Sequence, residues 1–138
     1  MRYHLSLLTV PLILISAITL ADDVSDTRHL LCSTLHSDVC IQNEGCVKVP
    51  PADLNIPQFI LIDARTGELS TTDSSGENRK TTADSVSRGD GQLILQGVEL
   101  GRAFSLFVDE ASGDATFAAA ADMLSMSVFA ACTPANIK

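Results

Sequence analysis

Leu124-Ser125-Met126-Ser127-Val128-Phe129-Ala130-Ala131-Cys132 is the stretch that decides the fold class. Leu124, Met126, Val128, Ala130 and Cys132 fall on one side of an extended chain, with Ser125 and Ser127 on the other. A period of two with one apolar side marks a half-buried antiparallel strand. Moving toward the N-terminus, residues 115–121 read the same way, because Thr116-Phe117 and a turn ahead of them outweigh the helical look of Ala118-Ala119-Ala120-Ala121. Residues 102–109 carry Phe104, Leu106 and Val108 on one side, and residues 92–96 form another strand. Residues 58–63 and 67–72 read as a hairpin, with turns at Asp73-Ser74-Ser75-Gly76 and Arg88-Gly89-Asp90-Gly91 and a short connection over 97–101. The polar stretch 78–87 suits an edge strand or a loop.

Seven or eight short strands with tight turns define an all-β class: a small antiparallel barrel or sandwich built as a meander. The expected core is Phe59, Leu61, Leu93, Leu95, Phe104, Leu106, Val108, Phe117, Met126 and Val128. Residues 22–57 form the cysteine-containing start of the domain, residues 58–138 the meander, and 22–138 fold as one unit. Within the first part, His29 to Leu35 reads as a short strand or a helical turn opened by Asp26; pairing with a C-terminal cysteine favours the strand. Pro50-Pro51 and Pro57 bracket a stretch expected to run extended over the surface.

Residues 1–21 have the layout of an export signal. Arg2 precedes the nearly uncharged run from Leu5 to Leu20, and Thr19-Leu20-Ala21 ends it with small residues where a signal peptidase reads, so cleavage is expected after Ala21. An uncleaved anchor is the rival, disfavoured by the short run and by Pro11. Cleavage removes one arginine and no acid, leaving the rest one unit more negative than the full chain's −8. A soluble, monomeric, periplasmic or secreted protein is expected, with no membrane partner after cleavage.

Cys32, Cys40, Cys46 and Cys132 form an even set in an exported chain, so two disulfides are the default among three possible pairings. The polar segment Ile41-Gln42-Asn43-Glu44-Gly45 turns the chain back and makes Cys40–Cys46 an easy local staple. Cys32 then pairs with Cys132 across about a hundred residues, a closure the chain-entropy model values at roughly 4–5 kcal/mol. The alternative, a metal site over Cys32, His36, Cys40 and Cys46, has a spacing that matches no usual zinc pattern, and no metal or cofactor is expected.

The pI near 4.6 excludes partners held by phosphate neutralisation, so no nucleic-acid role is expected. With no tryptophan, and its one tyrosine in the signal, the exported part has only phenylalanines as flat platforms for sugars or bases. No nucleophile elbow, metal-binding helix motif or glycine-rich phosphate loop occurs. The protein is therefore expected not to be an enzyme; a small hydrolase using His29 or His36 as base ranks last among the readings. An internal echo stands out: Ile62-Asp63-Ala64-Arg65-Thr66-Gly67-Glu68 resembles Val108-Asp109-Glu110-Ala111-Ser112-Gly113-Asp114. Turn chemistry explains it, the aspartate accepting from the turn's amides and the glycine taking a left-handed position, whereas calcium would need more oxygens.

Strong negative charge favours encounter with a basic protein partner, and the leading expectation is a non-catalytic binding module. Its candidate contact residues are Asp109, Glu110, Ser112 and Asp114, then Asp63 and Glu68. The second expectation is a lipocalin-like carrier of a small apolar ligand inside the barrel.

An export signal, then Cys32, Cys40 and Gly45-Cys46, then Arg102-Ala103-Phe104-Ser105-Leu106 before an Asp-and-Gly hairpin, then Val128-Phe129-Ala130-Ala131-Cys132-Thr133-Pro134, resembles small exported proteobacterial proteins of unassigned function. That resemblance implies a periplasmic location and brings no activity. In size, compartment and disulfide-closed β-architecture the chain is also similar to periplasmic inhibitors of C-type lysozyme, small barrels that block the enzyme's cleft with a serine and a lysine. Ser112-Gly113 matches their serine loop superficially and no lysine lies in a comparable terminal hairpin, so this likeness implies architecture alone.

Overall fold

The alternating stretches of the C-terminal half fold as one meander. In the computed structural model, which describes residues 22–75 and 78–136, strands β6 (Ser85–Gly89), β7 (Gln92–Glu99), β8 (Arg102–Asp109), β9 (Asp114–Ala121) and β10 (Leu124–Pro134) each pair antiparallel with the next. The export signal expected at residues 1–21 lies outside the described residues. β10 then pairs along its length with β1 (His29–Ile41), and β1 continues into β3 (Phe59–Asp63), β4 (Glu68–Thr71) and β5 (Lys80–Thr82). The result is all-β, one antiparallel sheet curled into a half-barrel, in the order β5-β4-β3-β1-β10-β9-β8-β7-β6, with β2 (Gly45–Val49) beside β1.

Among the described residues ten strands replace the expected seven or eight, and β1 breaks the simple meander by sitting between β3 and β10. The ambiguous segment from His29 onward is a strand of 13 residues. A bulge between Thr34 and His36 turns Leu35 out to solvent and divides β1: its first half pairs with β3, its second with β2. Residues 78–87 supply β5 and the start of β6, and only Ala83 and Asp84 separate these two strands. The chain thus steps directly from one edge of the sheet to the other, which covers both flanks. Two glycines make the step possible. A Cβ at Gly67, whose φ is +74°, would lie 2.7 Å from the Val86 side chain, and one at Gly97 would lie 3.2 Å from the Asp84 backbone nitrogen.

Leu93 and Leu95 of β7, Phe104, Leu106 and Val108 of β8, and Met126 and Val128 of β10 are buried as the alternation requires, and Phe117 packs against them half-buried. β3 corrects the reading: Ile60 and Ile62 face the core, whereas Phe59 and Leu61 face out and are half-buried. Phe59-Ile60-Leu61-Ile62 is apolar on both sides, so its alternation carries no information about which side is inner. The proline-bracketed stretch is also not extended. Pro51–Leu54 winds into a 3-10 turn with proline at its start, and Leu54 and Ile56 pack against the core.

Both disulfides form with the expected partners. Cys32 and Cys132 sit directly opposite each other in the β1–β10 pairing, and Cys40 and Cys46 do so in β1–β2. Cys32 and Cys132 are buried in the core, whereas Cys46 is exposed on the β2 arm. Such bonds belong to an oxidising, exported environment. Among the described residues no helix is long and apolar enough to cross a membrane.

Candidate functional site

The two ends of the half-barrel differ in what fills them. At the end marked by His29, Asp63, Asp109 and Pro134, the segment ahead of β1 folds across the opening and buries Val24 completely. The Val24 amide donates to the Glu110 carbonyl at 2.8 Å. Arg88, on the inward register of β6, donates to the Glu110 carboxylate at 2.5 Å and to the carbonyls of Thr27 and Val24 at 2.9 and 3.2 Å. Glu110 is only 6% exposed, so this end is closed by a paired charge and an apolar plug.

At the opposite end the interior stays open. A cavity of about 120 Å³ lies between the inner faces of β1, β3 and β4 and those of β8, β9 and β10. Cys32, Ile60, Ile62, Leu69, Phe104, Leu106, Phe117, Met126 and Val128 line it. Ala119 and Ala130 take inward positions where a larger side chain would fill the space. At this volume the cavity holds several waters or a small organic group, and its walls offer water few partners. The mouth is framed by Leu54, Asn55, Ile56 and Pro57 behind the 3-10 turn, by Arg79 and Lys80, and by Glu99, Leu100 and Arg102 of the β7–β8 hairpin. A second depression, about 400 Å³ but shallow and open to solvent, lies over the small outer side chains of β8, β9 and β10, including Ser105, Ala118, Ala120 and Ser127. The enclosed apolar cavity is the better site, because it removes a ligand from water.

The residues expected to make contact lie at the sealed end, in two hairpin turns with two strands, β1 and β10, between them in the sheet. The echo is two copies of one turn. Asp63 Oδ1 accepts the amides of Arg65 and Thr66 at 2.9 and 3.2 Å, and Asp109 Oδ1 accepts those of Ala111 and Ser112 at 3.1 and 3.0 Å. Gly67 and Gly113 then donate to the carbonyls of Asp63 and Asp109, each at 2.8 Å, from positive φ of 74° and 71°. Among the described residues the other side chains of the set, except that of Asp114, are engaged as well. Asp63 Oδ2 takes Arg28 at 2.7 Å, Glu68 takes Lys80 at 2.6 Å, Glu110 takes Arg88, and Ser112 bonds Asp109 and the Asp114 amide. The Arg28 guanidinium, with help from the two turn amides, holds the Asp63 carboxyl well below the usual carboxylate range, against the opposing effect of burial.

Neither histidine reaches the cavity: His29 lies 3.4 Å from Asp63 on the outer face, and His36 stacks on Phe129 with ring centres 4.6 Å apart. Among the described residues no three His, Cys, Asp or Glu side chains gather as a metal site. The mouth residues were not legible as a group in the sequence, since they come from three separate segments that only the curl of the sheet brings together. Comparison of the chain with protein families, characterised proteins and solved structures finds no match.

Proposed function

We propose that this protein is a non-catalytic periplasmic binding module that works as a monomer and carries a small apolar molecule inside its half-barrel. One observation carries the reading: an apolar cavity opens at one end of the fold while the other end is sealed by Val24 and the Arg88–Glu110 pair. A structural core of this size would gain stability from larger side chains at Ala119 and Ala130, so the retained space is itself the argument for an occupant. The test is native mass spectrometry of oxidised protein purified from its own host, beside Ala119→Leu, which fills the cavity. Wild type is expected to retain a small molecule that the variant loses; two bare polypeptide masses overturn the proposal.

A basic protein partner, such as a lysozyme, is the second reading, and the net charge of −8 supports it through steering. Asp63, Glu68, Asp109 and Glu110 would have to leave their present partners to contact it, which makes this the weaker reading. Unchanged lysozyme activity at low salt with the oxidised protein in excess removes it.

A further inference from the structure

The mouth of the cavity carries positive charge in a chain that is otherwise acidic. Among the described residues three cations line it, Arg79, Lys80 and Arg102, against one carboxylate, Glu99. Lys80 is held by Glu68 at 2.6 Å, and Arg79 reaches both Glu99 at 3.5 Å and the Asn55 carbonyl at 2.8 Å. Arg102 is different. It stands directly opposite Glu99 in the β7–β8 pairing, yet Arg79 already engages that carboxylate, and the Arg102 side chain makes no hydrogen bond or ion pair among the described residues. A guanidinium presents a planar fork of donors suited to a carboxylate or phosphate. Here it stands at the rim of an apolar hole.

The residue two before it adds a second observation. Leu100 is 80% exposed at the tip of the hairpin and adopts φ +52°, a left-handed conformation that Asn, Asp or Gly takes far more easily. A large apolar side chain held in that position beside an open mouth is left exposed by the described residues and is placed to cover an apolar chain entering the cavity. The lining of β8 runs from Arg102 through Phe104 to Leu106, about 10 Å of depth once strand rise and barrel tilt are combined. That depth suits one medium-length acyl tail, and the narrow volume leaves no room for a second.

We infer that the ligand is a single-chain amphiphile with an anionic head, its tail in the cavity and its head on Arg102, under Leu100. This rests on the cavity reading above and adds the chemistry of the head.

The test titrates the oxidised protein by calorimetry with octanoate, octanol and octylammonium, which share a tail and differ in head charge. Octanoate is expected to bind roughly fivefold to tenfold more tightly than octanol, and octylammonium most weakly. Arg102→Gln should bring octanoate to the level of octanol and leave octanol within about twofold. Arg102→Lys should keep part of the preference, and added salt should weaken octanoate alone. Octanol binding as tightly as octanoate, or an unchanged preference in Arg102→Gln, overturns the anionic head while the apolar cavity stands. If none of the three binds, the cavity reading fails and this inference fails with it.

Discussion

Arg88 and Arg102 both take inward register positions, on the two strands that flank β7, and their surroundings could hardly differ more. Arg88 at the sealed end has a buried carboxylate and two backbone carbonyls within hydrogen-bonding distance. Arg102 at the open end has none of these among the described residues, and an exposed leucine in a left-handed turn stands beside it. A charge surrounded by matched acceptors is a structural element, whose removal leaves its partner buried and alone. A charge without acceptors at an apolar mouth contributes little to the fold and is free to meet something else.

The disulfides give the widest separation between the two regions. Cys32–Cys132 closes a separation of 100 residues through the core, and Cys40–Cys46 closes one of 6 on the arm beyond the mouth. Replacing the first pair by alanines should lower unfolding free energy by about 4–5 kcal/mol, and the second by about 2 kcal/mol. Equal losses in denaturant unfolding would contradict the assignment of the long bond to the body of the fold. Next come the arginines themselves. Arg88→Gln is expected to lose about 2–3 kcal/mol because Glu110 stays buried without its cation, whereas Arg102→Gln should stay within about 0.5 kcal/mol. A large loss in Arg102→Gln would show that the mouth is structural after all.

Leu100 sharpens the contrast from the other side. Leu100→Gly relieves the left-handed strain and should stabilise the protein by up to about 1 kcal/mol while weakening retention of an amphiphile. Lower stability in thermal unfolding would mean that Leu100 packs for the fold. The smallest effect concerns acid. Because Arg28 holds the Asp63 carboxyl below its ordinary range, the contribution is complete above about pH 5 and is lost as pH falls below about 4 toward the depressed value. Asp63→Asn should therefore give a shallower decline of stability with acid than wild type, and parallel curves would deny the pair any role.

How far the sequence disclosed this follows from where each signal resides. β8 and β10 were legible because an apolar side repeats with a period of two, β7 and β9 because turns bound them, and the paired turns because Asp and Gly at fixed offsets can do only one thing cheaply. The disulfides were legible from the local turn between Cys40 and Cys46. β3 hid its inner face because it is apolar on both, and the 3-10 turn hid behind prolines that fit an extended chain equally well. β2 was missed because all of its residues but Val49 are exposed and its one ladder depends on β1 running past the bulge. The mouth was invisible for a topological reason: Leu54, Arg79, Glu99 and Arg102 share no spacing or motif, and only the handover from β5 to β6 sets them around one opening. The acidic turns attracted a binding role because they repeat, and the carboxylates of Asp63, Asp109, Glu68 and Glu110 turn out to be engaged by turn amides or by basic side chains of the same fold.

The most direct measurement is an amide chemical-shift titration of the oxidised protein with octanoate. Saturable shifts should gather at Leu54, Ile56, Leu100, Arg102 and Phe104, with Val24, Arg88 and Glu110 unmoved. Shifts centred instead on the turns at Asp63 and Asp109, or no saturable shift at any concentration short of micelles, would contradict a carrier that is closed below and open above.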